Sequence, residues 1–257
     1  MLHYTTAGSP DQPAVMFLHG FMGRGADWTP IIDAVQDRAY GLVVDLPGHG
    51  ASVDLPEDAY TMAATAQHLA DVLDAEDITR CRVVGYSMGG RTALYFALTH
   101  PDRCAQLMLE SASPGLRTEA ERAARRRVDR QRAERIASDF DAFLQDWYRM
   151  PLFASLARHD LVDEMIQRRR HNRPDELVKS LQGMGTGAQP SLWERIPNLR
   201  ISTRTLTGAL DNKYVGITRG MTALNPRIQS ILIPGAGHTV HAERPEAFIN
   251  ALRRFVH

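Results

Sequence analysis

Ser87 stands at the centre of Gly85-Tyr86-Ser87-Met88-Gly89. The short strand Cys81-Arg82-Val83-Val84 precedes it, and the apolar helical segment Gly90 to Leu98 follows. Glycines two residues away on both sides are what a sharp strand-to-helix turn needs, because neither the strained backbone nor the close helix leaves room for Cβ atoms. Such a turn presents a hydroxyl for chemistry. The hydroxyl is inert at neutral pH unless an imidazole takes its proton and a carboxylate orients the imidazole. Two downstream residues fit those parts. Asp211 lies just past the strand-like Leu206-Thr207-Gly208, and His238 lies past the last strand in Pro234-Gly235-Ala236-Gly237-His238, a loop freed by two glycines. Asp211-Asn212 is also good turn chemistry, the plainer reading of that acid. An oxyanion needs two backbone N–H groups, expected from Met88 and from Phe21 in the loop His19-Gly20-Phe21. His19 is expected to brace that loop, and Pro47-Gly48-His49-Gly50 to form a structural turn. Arg91 falls four residues after Ser87, on the same helix face one turn on, where a guanidinium suits a carboxylate. Its plainer reading is an arginine paired with an acid of the overlying chain.

The remaining histidines offer less. His3, His68, His100, His159 and His257 read as surface or core fillers, and His238-x-x-His241 lacks a third ligand nearby, so no metal is expected. Cys81 and Cys104 are expected to be buried reduced thiols of a cytoplasmic protein. The N-terminus has neither a basic start nor an apolar run, and no stretch of eighteen apolar residues exists, so neither a signal peptide nor membrane insertion is expected. A net charge of zero argues against a nucleic-acid partner. The charge is unevenly distributed, however. Only Lys179 and Lys213 are lysines, and fourteen of the 28 arginines fall between residues 117 and 173, against ten acidic residues there. That segment carries a net +4 and the rest of the chain −4. A basic segment in a neutral protein points to a small anionic ligand; the plainer reading is a solvated helix face.

The elements that must position these groups alternate. Strands are expected at Ala14–His19, Gly41–Asp45, Arg82–Gly85, Ala105–Glu110, Thr203–Thr207 and Arg227–Ile233, and helices at Trp28–Val35, Thr61–Leu73, Met88–Thr99 and Pro245–Val256. This predicts an α/β chain: an α/β-hydrolase fold with a mainly parallel central sheet and helices on both faces. Its site belongs outside the C-terminal ends of the strands. From Ser113 to Asn198 strand patterns vanish. Helices are expected over Glu119–Asp146 (one or two), Leu161–Asn172 and Asp175–Gly183, forming a helical cap inserted after the sixth strand. The expected division is 1–112 with 199–257 as core, and 113–198 as cap.

The whole chain resembles the 2-succinyl-6-hydroxy-2,4-cyclohexadiene-1-carboxylate synthases, lyases on this fold. The likeness is carried by Leu18-His19-Gly20-Phe21-Met22-Gly23 with Asp27-Trp28, by the elbow including Tyr86 and Arg91, and by Glu110-Ser111-Ala112-Ser113-Pro114-Gly115-Leu116. It extends through Asp146-Trp147-Tyr148, Pro151-Leu152-Phe153, Gln189-Pro190-Ser191-Leu192-Trp193, Asp211-Asn212-Lys213-Tyr214 and Ala236 to Pro245. The resemblance implies elimination of pyruvate from a cyclohexene tricarboxylate in the menaquinone (vitamin K2) pathway, with no cofactor and with Ser87 as a base. It implies substrate contacts from Arg91, Tyr86 and Trp147. In the cap it implies Arg125 and Arg169, each within a run of three arginines that leaves the register open. A monomer or weak homo-oligomer is expected. The alternatives are a Ser-His-Asp carboxylesterase or carbon–carbon bond hydrolase, and a non-catalytic small-molecule receptor; the triad is shared with many unrelated hydrolases.

Overall fold

The computed structural model describes residues 1–257. In chain order the elements are β1 (Tyr4–Ala7), β2 (Ala14–Leu18), α1 (Thr29–Asp33), β3 (Tyr40–Val44), α2 (Met62–Ala75), β4 (Cys81–Tyr86), α3 (Met88–Thr99) and β5 (Cys104–Glu110). After β5 come four helices, α4 (Glu119–Ser138), α5 (Phe140–Tyr148), α6 (Val162–Arg169) and α7 (Pro174–Met184). The chain closes with β6 (Thr203–Gly208), α8 (Asn212–Leu224), β7 (Ile228–Ile233), α9 (Val240–Glu243) and α10 (Pro245–Val256). The strands form one sheet in the order β1-β3-β2-β4-β5-β6-β7. Only β1 runs antiparallel, against β3. In register, Leu18 faces Gly85 across β2 and β4, and Tyr86 faces Glu110 across β4 and β5. The loop after β2 and the turn at Ser87 therefore leave the sheet side by side.

Side chains alternate across the strands as a sheet buried on both faces requires. Met16 and Leu18 of β2 join one core with Ala66, Leu69 and Leu73 of α2 and Leu94 of α3. Val15 and Phe17 join the other with Trp28 and with Phe248, Leu252 and Phe255 of α10, whose spacing of four and three puts them on one helical face. The helices between β5 and β6 have a core of their own around Ile136, Phe143, Leu144, Ile166 and Leu177, and Met22 from the loop after β2 projects into it. Local signals set these helices. Thr118 and Glu121 form a reciprocal capping box at the start of α4: Thr118 Oγ1 accepts the Glu121 N–H at 3.2 Å, and Glu121 Oε2 accepts the Thr118 N–H at 2.8 Å. Asp139 accepts the Ala142 N–H at 2.9 Å and opens α5, so the Glu119–Asp146 pattern is two helices.

Three expectations shift. The insertion follows the fifth strand, not the sixth, because only five strands precede it even with β1, whose four residues gave no apolar run. The Trp28–Val35 helix is a 3₁₀ turn at Gly25–Trp28 followed by the short α1, which β-branched Thr29, Ile31 and Ile32 do little to prolong. Helix α8 has no counterpart among the expected elements. Cys81 and Cys104 are free, buried and paired in register on β4 and β5. Burial pushes the Cys81 thiol up to about 12 and raises Cys104 as well, so neither is a ready nucleophile.

Two buried imidazoles hold the loop after β2. His19 Nδ1–H donates to Gly20 O at 2.8 Å while its Nε2 accepts the Leu46 N–H at 3.0 Å. His49 Nδ1–H donates to Pro47 O at 3.0 Å while its Nε2 accepts the Met22 N–H at 3.0 Å. Each ring thus ties the His19–Gly23 loop to the turn after β3 and must be neutral to do so. Burial, above all, lowers both pKa values from 6.5, that of His49 to about 3. The unfolded chain takes up these protons first, so the stability they represent is complete above pH 6.5 and is lost as pH falls toward 3. Between pH 7.5 and 5.0, denaturant unfolding should show the native chain losing ~2 kcal/mol more than His49→Gln, whose amide can make the same two bonds without titrating. Parallel pH profiles for the two proteins would refute this account.

Candidate active site

Ser87 occupies φ 50° and ψ −106°, a conformation that non-glycine residues rarely adopt. The turn is enforced by its surroundings. A Cβ on Gly89 would lie 2.2 Å from Leu18 O, so α3 can start directly over β2 only with glycine there. Ser87 N–H donates to Glu110 O at 2.9 Å, anchoring the turn to β5. From this perch Ser87 Oγ lies 3.1 Å from His238 Nε2, and His238 Nδ1 lies 2.7 Å from Asp211 Oδ2. The hydroxyl, imidazole and carboxylate therefore form a continuous relay, with His238 only 1 % exposed. Asp211 makes both contacts at once: Oδ2 meets the imidazole, and Oδ1 caps α8 by accepting the Tyr214 N–H at 3.2 Å. The Met88 N–H opens α3, and neither it nor the Phe21 N–H donates to a protein acceptor. Both residues line the cavity into which Ser87 faces.

The loop carrying His238 is held rather than free. Glu243, 4 % exposed, accepts the Gly237 N–H at 2.7 Å and the Thr239 N–H at 3.0 Å, gripping the amides on either side of the imidazole. Glu110, fully buried, accepts the His241 N–H at 3.0 Å and His241 Nδ1–H at 2.8 Å. The Tyr86 and Thr239 hydroxyls meet at 3.0 Å. Gly237 serves close approach instead of flexibility, because a Cβ there would sit 1.9 Å from Ser155 Oγ. The two histidines face different carboxylates, His238 Asp211 and His241 Glu110.

The cavity measures about 620 Å³ and lies between the sheet edge and the inserted helices. Tyr86, Arg91, Arg125, Trp147 and Arg169 all line it. The neighbours in the two arginine runs point elsewhere: Arg126 bonds Gly187 O, Arg168 pairs with Glu164, and Arg170 pairs with Asp141. The cavity arginines differ in their partners. Arg125 pairs with Asp129 at 2.7 Å, and Arg169 with Asp27. Arg91, 7 % exposed, has no acid. It donates to two neutral acceptors, Met184 O at 2.9 Å and Gln189 Oε1 at 2.7 Å. Burial, then Arg125, pull its pKa down to about 10, so at neutral pH it stays a cation without a counter-charge. Arg132 and Lys213 also line the cavity. The sequence pattern marks neither; for Arg132 the signal it offers is the arginine excess of its segment.

Comparison with known proteins places this geometry. Residues 13–245 match the model of the alpha/beta hydrolase fold family. A Bacillus subtilis (strain 168) protein, provisionally named 2-succinyl-6-hydroxy-2,4-cyclohexadiene-1-carboxylate synthase, is 37% identical over 95% of this chain and 90% of its own. The protein of that name from Pectobacterium atrosepticum is 34% identical over 97% and 96%. The solved structure of MenH from S. aureus superposes with a TM-score of 0.94 at 32% identity, covering 100% of this chain and 98% of that one. The chain belongs to the α/β-hydrolase-fold family and, within it, to the 2-succinyl-6-hydroxy-2,4-cyclohexadiene-1-carboxylate synthases. No helix is long and apolar enough to cross a membrane.

If the relay activates Ser87, a fluorophosphonate probe should label that residue, and Ser87→Ala should abolish labelling. Asp211→Asn should slow it on the order of 10⁴-fold, since the imidazole loses the group that fixes its tautomer. Labelling of equal rate in Asp211→Asn would mean the carboxylate serves only as the α8 cap.

Proposed function

We propose that this chain is a carbon–oxygen lyase that eliminates pyruvate from 2-succinyl-5-enolpyruvyl-6-hydroxy-3-cyclohexene-1-carboxylate, giving 2-succinyl-6-hydroxy-2,4-cyclohexadiene-1-carboxylate. His238, oriented by Asp211, draws the proton from Ser87, and the serine oxygen removes the ring proton alpha to the succinyl ketone. The Phe21 and Met88 amides hold the enolate oxygen, the second at the positive end of α3. Electrons pass through the ring double bond, the ring carbon–oxygen bond to the enolpyruvyl group breaks, and the departing enol takes up a proton to become pyruvate. The residues suffice for this without a cofactor. On this reading residues 1–112 and 199–257 are the core, and 113–198 are the cap that supplies Arg125, Trp147 and Arg169 to the substrate. Tyr86 completes the pocket. The enzyme works in the cytoplasm on a water-soluble tricarboxylate, as a monomer or weak homo-oligomer.

One observation carries the reading: Arg91, buried in the relay's cavity one helical turn beyond Ser87, has no carboxylate partner in the protein. A hydrolase of neutral esters would want apolar groups at that place. A carboxylate arriving with the substrate completes the guanidinium's bonding.

The direct test is pyruvate release from enzymatically generated substrate. The native chain should release it and Ser87→Ala should not. Arg91→Ala should lose about 10²- to 10³-fold in kcat/KM for the tricarboxylate while sparing hydrolysis of a small neutral ester. Ester hydrolysis without pyruvate release would favour the hydrolase reading, and a serine inert in both assays would favour a receptor.

A further inference from the structure

We propose that Lys213 is a specificity-determining residue of this cavity, its ammonium acting together with Arg125 on one carboxylate of a multiply anionic substrate. The proposal rests on the functional reading above. Lys213 lines the cavity with Arg91, Arg125 and Arg132, at its exposed rim. It is one of two lysines in a chain that otherwise uses arginine. The other, Lys179, is paired with buried Glu176 at 2.7 Å. Lys213 has no such partner. The oxygens of Asp211, two residues earlier, are taken by His238 and by the Tyr214 N–H.

Its position works against stability in two further ways. Lys213 sits in the first turn of α8, where the helix presents its positive end and a cation is disfavoured. Its charged neighbours Arg125 and Arg132 share a single acid, Asp129, at 2.7 and 3.6 Å. Surrounding protein, then Arg125, lower the lysine's pKa. A charge held against a helix dipole and beside like charges, with Asp211 nearby but no acid paired to it, is what an anion site looks like before its anion arrives. The cavity thus presents a buried cation, Arg91, and an exposed one, Lys213, with Arg125 close enough to act on both. A ligand with more than one carboxylate can meet these cations; a single carboxylate leaves some of them unmet.

The experiment reads binding apart from turnover, comparing the native chain with Lys213→Gln and Lys213→Arg. Calorimetry with propane-1,2,3-tricarboxylate should show about tenfold weaker binding for Lys213→Gln, and binding near native for Lys213→Arg. Propionate should bind all three alike. In the pyruvate assay Lys213→Gln should raise KM by a similar factor with kcat within about twofold of native. Its melting temperature should hold or rise, because an unpartnered charge has been removed. Native-like tricarboxylate binding by Lys213→Gln would overturn the proposal, as would equal weakening of propionate, a lowered melting temperature, or no tricarboxylate binding by the native chain. Tricarboxylate binding that depends on Lys213, in a chain that releases no pyruvate, would instead sink the lyase reading and leave this one standing.

Discussion

A guanidinium withdrawn from water and given only neutral acceptors is costly to keep, because the charge loses its hydration without gaining a counter-ion. Arg91 is in that position, bonded to a carbonyl and an amide oxygen beside the Ser87 turn. The other groups become intelligible around it. Arg169 already holds an acid of its own, Asp27, whereas Arg125 shares Asp129 with Arg132. Gln189, which holds Arg91, comes from the inserted segment, and α3, which carries Arg91, is the helix opened by Ser87. Arg91 and the hydroxyl therefore share one rigid element, and the overlying chain fixes the guanidinium's direction.

Precision around the imidazole has a different origin. Two buried carboxylates, Glu243 and Glu110, fasten the His238 segment through four N–H bonds. Aromatic rings complete the enclosure: Tyr214 lies 4.6 Å, Tyr86 5.6 Å and Phe153 5.7 Å from the His238 ring, centroid to centroid. Held donors and excluded solvent are what a proton relay needs in order to work without reorganising at each turnover. The His19 and His49 rings do the same for the loop bearing the Phe21 amide.

What the sequence reveals and what it hides follow from range. The turn at Ser87 is legible because glycine spacing and the flanking strand and helix are local signals, and strand-end placement then narrows the acid and base to Asp211 and His238. The parallel sheet follows from alternating short apolar runs. Glu110 and His241 lie 131 residues apart, and nothing near either betrays their meeting. Gly216 and Gly220 obscure α8, although Asp211 was available as its cap. The three-arginine runs conceal which member faces inward, because that depends on helix rotation over the sheet. In both runs the middle-distance partners Glu119, Glu164 and Asp141 draw the neighbours outward.

The double use of Asp211 couples two things usually tuned apart. One oxygen fixes the imidazole and the other begins α8, the helix whose opening residues include Lys213 and the Tyr214 ring packed on His238. Shifting the start of this helix relative to a ligand therefore also turns the acid, whereas a side chain carried on it, such as that of Lys213, can be exchanged without doing so.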